Sequence, residues 1–213
     1  MPVLLTLFPT REAIQMNILL SLVISLVMLV KTRTAVERPL LRGLVLGSIL
    51  GLPLGILAFV SLSARDIKLG LGFAILAVAL PLLFRVRIAR SPGRDLGAGF
   101  LSGFFGTSVG VPGPPLLAYM TGAGEGKAVV RSTTLAFYLV VYGAAIVLQM
   151  LTVGAAPHLL LRSVFLLPAL AVGAVLGQKL FGRLSPAAFR ALQLCILIGT
   201  GGYLLWAVLG PHA

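Results

Sequence analysis

The run Gly106-Thr107-Ser108-Val109-Gly110-Val111-Pro112-Gly113-Pro114-Pro115 carries the residues with the clearest capacity for chemistry, and it lies inside the apolar segment 96–120. Backbone amides freed from a helix at membrane depth are costly unless satisfied, so irregular backbone is kept there only where it lines a cavity or is buried in protein. The chemistry such a turn offers is anion binding. Its N–H groups lack helical partners, Gly106, Gly110 and Gly113 permit close approach, and Thr107 and Ser108 add hydroxyl donors. Arg131, with Ser132 and Thr133 beside it at the start of the next apolar segment, would supply the countercharge. Snorkelling of Arg131 to the headgroups is the competing expectation, and it is the preferred one for Arg42 and Arg162. For the turn itself the alternative is a packing kink.

Other chemistries are poorly served. Gly106-Thr107-Ser108-Val109-Gly110 fits the G-x-S-x-G pattern of a serine nucleophile, which makes an intramembrane hydrolase a rival reading. That elbow needs a strand-to-helix turn and a histidine, and the histidines, His158 and His212, fall in a loop and at the C-terminal end. The acidic residues Glu12, Glu37, Asp66, Asp95 and Glu125 flank the apolar segments, so no carboxylate pair for acid–base work or metal binding is expected. Lone Cys195 allows neither an internal disulfide nor a cysteine metal cluster. The sequence therefore predicts a non-enzymatic protein with no metal or other cofactor.

The elements that must position the turn are membrane spans. With 59% hydrophobic and 10% charged residues and a mean hydropathy of +1.09, the chain is not a soluble globular domain. Its net charge of +12 is dispersed in short clusters between apolar runs, so the expected partners are the lipid bilayer and a small anion rather than nucleic acid. Assembly into a homo-oligomer is compatible with the sequence. No cleavable signal peptide is visible, since Met1-Pro2 provides no basic n-region. Apolar segments fall at 13–30, 43–62, 69–84, 128–151, 159–178 and 191–209, and most match the roughly 20 residues needed to span hydrocarbon.

Loop charge decides how segment 96–120 runs. If it crosses, Lys and Arg divide almost evenly between the two sides. If it enters and leaves on one face, that side holds 13 of the 17 basic residues, a clear positive-inside bias. A re-entrant broken helix is therefore expected, with residues 96–106 as a helix of about 16 Å and Pro114 and Pro115 turning the chain. The predicted fold is an all-α polytopic membrane protein of about six full transmembrane helices plus one re-entrant broken helix.

An internal repeat divides the chain. Gly51-x3-Gly55 with Phe59, Leu62, Ser63 and Lys68 matches Gly173-x3-Gly177 with Phe181, Leu184, Ser185 and Arg190 at a constant shift of 122. Leu40-Leu41-Arg42 matches Leu160-Leu161-Arg162, and Ala13 with Asn17 falls on Ala128 with Ser132, after small register shifts. Asn17 thereby joins the candidate site as the repeat partner of Ser132. Each Gly-x3-Gly alone reads as a helix-packing face. Three spans plus a hairpin is an odd crossing number, so the two halves, 1–95 and 96–213, are expected to lie inverted, as in inverted-repeat carriers.

At the level of residues 99–115, Gly-Phe-Leu-Ser-Gly-Phe-Phe-Gly-Thr-Ser-Val-Gly-Val-Pro-Gly-Pro-Pro, the chain resembles the signature opening the second half of TauE/SafE-type sulfite-exporter permeases. Lys127-Ala128-Val129-Val130-Arg131-Ser132-Thr133, Gly173-x3-Gly177 and Arg183-Leu184-Ser185 are similar to that family's second half as well. The resemblance implies a multi-pass carrier of sulfite, sulfonates or related organic anions in a bacterial or archaeal inner membrane. The family has a matching Gly-rich hairpin before its first span, whereas here Pro2-Val3-Leu4-Leu5 already corresponds to Pro115-Leu116-Leu117-Ala118. A translation start upstream of Met1 is the preferred account and a reduced member with one hairpin the alternative, because a half-hairpin leaves the site open on one side. A non-transporting membrane scaffold also stays open.

Overall fold

A computed structural model describes residues 4, 7–32, 35–83, 87–155, 158–183 and 185–209. Pro2, Val3, Leu5, Arg33, Arg85, Leu184 and His212 lie outside the described residues, as do the side chains of Lys31, Lys68, Phe181, Arg183 and Arg190.

Helix follows helix throughout: α1 Thr10–Thr32, α2 Arg38–Ser61, α3 Ala64–Leu83, α4 Pro92–Ser108, α5 Gly113–Gly122, α6 Lys127–Val153, α7 Leu159–Arg183 and α8 Pro186–Leu209. The protein is an all-α polytopic membrane protein. Among the described residues, four stretches are long and apolar enough to cross a bilayer by themselves, Thr10–Val30, Arg38–Ser61, Lys127–Val153 and Leu159–Leu180. α3 and α8, the other two long helices, run 20 and 24 residues, and α8's apolar stretch is the shorter Leu194–Leu209.

The expected break is present but shifted towards the C-terminus. α4 starts at a cap in which Ser91 Oγ accepts the Arg94 N–H, followed by Pro92 and the acidic Asp95, each suited to a first turn. It continues to Ser108, so Gly106, Thr107 and Ser108 form its last turn and not the irregular segment. Only residues 109–112 leave the helix, through Val109 and the left-handed Gly110 at φ +69°. Pro114 and Pro115 do not turn the chain; they sit in the first turn of α5, where a missing N–H costs nothing. α4 is consequently about 25 Å long, against about 16 Å expected for the first arm, and α5 about 15 Å.

The hairpin returns to where it began. Ile88 N–H, ahead of α4, donates to Gly122 O at the end of α5 at 2.9 Å, and Tyr119 Oη donates to Asp95 Oδ1 at 2.5 Å. Arg90 ties the same mouth together, lying 3.3 Å from Glu37, 3.4 Å from Glu125 and 3.7 Å from Asp95. Burial works against the Arg90 charge, but the hydrogen bond it donates to Glu37 and the charges of Asp95, Glu125 and Glu37 outweigh it and raise its pKa.

Packing is closest between α2 and α4. A Cβ added at Gly47, Gly51 or Gly55 would lie 2.0, 2.1 or 2.4 Å from the carbonyl oxygens of Leu96, Phe100 and Phe104. Gly99 stands equally close to Leu44 O, so two small faces bring the backbones together as membrane helices do. α1 lies antiparallel to α6, with Gln15 bonded to Gly154 O at one end and Arg131 near Met28 at the other. α3 packs on α8 through Gly72 and Gly201. α7 touches α1 and is the least covered of the four candidate spans.

One expectation about charge is corrected. Glu12 and Asp95 stand at the edges of the apolar segments as expected, buried in the first turns of α1 and α4. Arg162 does not reach for headgroups: it pairs with Glu12 and its guanidinium lies over the Phe8 ring at 5.5 Å.

Candidate functional site

The break between α4 and α5 is buried: Gly106, Thr107, Ser108, Val109, Gly110, Pro112 and Gly113 are all enclosed. Its freed carbonyls are satisfied from two spans. Asn17 Nδ2 of α1 donates to Gly110 O at 2.6 Å, and Tyr142 Oη of α6 donates to the same oxygen at 3.3 Å. Gln149 Nε2 donates to Thr107 O at 2.7 Å. Tyr138 completes the α6 face, its hydroxyl 2.4 Å from where a Cβ on Gly113 would stand. Any side chain at Gly113 would displace that hydroxyl.

Donor chemistry at the turn is narrower than the run of residues suggests. Pro112, Pro114 and Pro115 have no N–H, and Val109 and Val111 both spend theirs on Phe105 O. Gly110 and Gly113 are thus the positions whose amides an oxyanion could use. Thr107 Oγ1 donates to Gly103 O at 3.1 Å and Ser108 Oγ to Phe104 O at 2.7 Å, so these hydroxyls are bonded back along their own helix. Gln149 Oε1, fully buried, has no hydrogen-bond partner among the described residues, which leaves an acceptor at the level of the break.

The remaining predicted residues gather elsewhere. Ser132 is buried in α6, and Thr133 Oγ1 accepts the Glu37 N–H at 3.0 Å, which places it at the hairpin mouth. Arg131 lines a cavity with Lys127 and Thr134, eleven residues ahead of Tyr142 on α6, or about 16 Å along the axis. The turn therefore does not face Arg131; it faces Asn17, Tyr138, Tyr142 and Gln149. Of these only Asn17 was legible beforehand. The signal for the others was their spacing, since Tyr138, Tyr142 and Gln149 fall on one stripe of a helix. Ser108 lacks the strand–turn–helix setting of a nucleophile, and His158 is exposed at the start of α7.

A broken Gly/Pro helix held by polar side chains of two spans is a carrier-type arrangement, and comparison with known families agrees. The family described as Sulfite exporter TauE/SafE matches residues 1–204. The chain belongs to that family. TauE/SafE proteins are exporters of sulfite and related anions, so membrane transport is the activity class here, and the match extends over all eight helices, with α8 covered to Leu204. No curated protein and no solved structure matches the chain.

Proposed function

We propose that this TauE/SafE protein carries a small oxyanion, sulfite or an organosulfonate, across a prokaryotic inner membrane, binding it at the turn between α4 and α5. The observation that carries the reading is the burial of Val109, Gly110 and Pro112 inside the protein, with Asn17 and Tyr142 converging on Gly110 O. Irregular backbone at that depth is kept where it is buried in protein or lines a cavity, and the amides of Gly110 and Gly113 are the groups an oxyanion would take. Asn17, Tyr138, Tyr142 and Gln149 hold the turn open to such a ligand. Arg131, Ser132 and Thr133 stand outside this shell in the conformation described.

Alternating access of two inverted halves, 1–95 and 96–213, is the mechanism that fits. The pairings of α1 with α6 and α3 with α8, and of α2 with α6 alongside α7 with α1, are those a two-fold relation between halves would generate.

Uptake of labelled sulfite and of a labelled arylsulfonate into proteoliposomes tests the reading. Gly110→Leu should abolish transport, because φ +69° disfavours a side chain and Ile14 O and Ile18 crowd the position, while the protein still inserts. Wild-type rates in a normally inserted Gly110→Leu protein would remove the turn from the path, and no flux of either anion with the wild type would favour a scaffold.

A further inference from the structure

A cavity of about 420 Å³ lies between α1, α5, α6 and α7, at the end of the molecule that carries the Arg90 cluster and most of the basic residues. Ile24, Met28, Leu117 and Leu135 give it apolar walls, and Gly173 and Gly177 form its floor on α7. Lys127 and Arg131, four residues apart and so on one face of α6, line the same cavity. Gly110, Gly113 and Gln149 do not line it, while Tyr138, whose hydroxyl stands against Gly113, does, so the cavity abuts the shell of the turn without reaching its free amides. Its α7 wall belongs to the span that is only 11% buried, against 39 to 44% for the other three, so the cavity adjoins a helix that faces lipid.

An occupant of this space meets two cationic side chains and an apolar wall together. A free inorganic anion would use the cations and leave the wall empty; a zwitterionic lipid would fill the wall while bringing its own cation to Lys127 and Arg131. We propose that the cavity binds an anionic phospholipid of the leaflet on the basic side, its phosphate at Lys127 and Arg131 and its first methylenes against Met28, Leu117 and Leu135. Basic pockets between transmembrane helices on the positive side are suited to such headgroups. The lipid would bridge α7 to α1 and α6, supplying contact where protein packing on α7 is thin.

The test uses the whole protein in phosphatidylcholine nanodiscs with and without phosphatidylglycerol, read by native mass spectrometry and thermal unfolding. Wild type should retain phosphatidylglycerol and melt higher with it. Lys127→Gln/Arg131→Gln should bind it about thirtyfold more weakly, from the contribution of two basic groups near an anionic surface. Gly177→Leu keeps both charges but fills the floor, where an added Cβ meets nothing within 4 Å, and should also displace the lipid. Its melting point in pure phosphatidylcholine should stay at the wild-type value, so it decides the matter if the double variant does not fold. Equal retention of phosphatidylcholine and phosphatidylglycerol, or retention in both variants, overturns the proposal. Stabilisation by inorganic phosphate in pure phosphatidylcholine discs as large as that by phosphatidylglycerol overturns it as well, in favour of a free oxyanion.

Discussion

Gly110 O accepts two hydrogen bonds and Thr107 O one, and this difference sets what each donor is worth. Gln149 is the side-chain donor to the Thr107 carbonyl, at the C-terminal end of a half-helix where the dipole concentrates negative charge. Gln149→Leu strands that carbonyl in a buried site and should cost about 1 to 2 kcal/mol in detergent unfolding. Tyr142→Phe leaves Gly110 O with Asn17 and should cost about 0.5 kcal/mol, in line with typical hydrogen bonds between membrane helices. Equal losses for the two variants would show that these bonds do not hold the break. Asn17→Leu should fall between them, because Tyr142 remains at 3.3 Å. The same contacts explain why the turn was only half legible at this scale. A run of Gly and Pro announces where helix must end, but the side chains that answer the freed carbonyls come from α1 and α6, far along the chain. Proline also removes the very donors that a Gly/Pro turn seems to promise.

Among the helices, α2 and α7 carry the same Gly-x3-Gly at matched repeat positions and use it differently. Gly51 and Gly55 lie against the Phe100 and Phe104 carbonyls of α4, whereas a Cβ at Gly173 or Gly177 meets nothing within 4 Å. Gly51→Val should therefore push α4 off α2 and cost about 3 kcal/mol or more, with the 87–91 segment ahead of α4 becoming sensitive to protease. Gly173→Val, the same change at the repeat mate, should stay within about 0.5 kcal/mol of wild type in detergent. A similar penalty for both would mean that the α7 face is covered by protein. Apolar run length located the six long helices to within five residues of their ends, since the length of a span is a local property. The end of α4 was misplaced by two residues because Thr107 and Ser108 look like turn formers. Their hydroxyls instead bond back to Gly103 O and Phe104 O, which lets the helix run on. The buried Glu12 was equally invisible, because its partner Arg162 lies 150 residues away.

For the molecule as a whole, the Arg90 cluster fixes which loops share one face. Glu37 precedes α2, Arg90 and Asp95 flank the start of α4, and Glu125 follows α5, so one guanidinium gathers three loops at one membrane face. Such a cluster is incompatible with a broken helix that crosses, since Asp95 and Glu125 would then be separated by roughly 30 Å of hydrocarbon. The loop-charge rule predicts that this face is cytoplasmic, because it is the side that holds most of the Lys and Arg. Cysteines at Ser91 and Gly124, in a Cys195→Ala background that removes the exposed native thiol, should resist an impermeant thiol reagent in intact cells and react in inside-out vesicles. Ser63 and Ala155, exposed at the opposite ends of α2 and α6, should show the reverse pattern. Labelling of Ser91 and Gly124 from opposite sides would overturn the re-entrant hairpin. Labelling of both in intact cells would keep the hairpin but invert the protein in the membrane, placing its basic face outside against the charge rule.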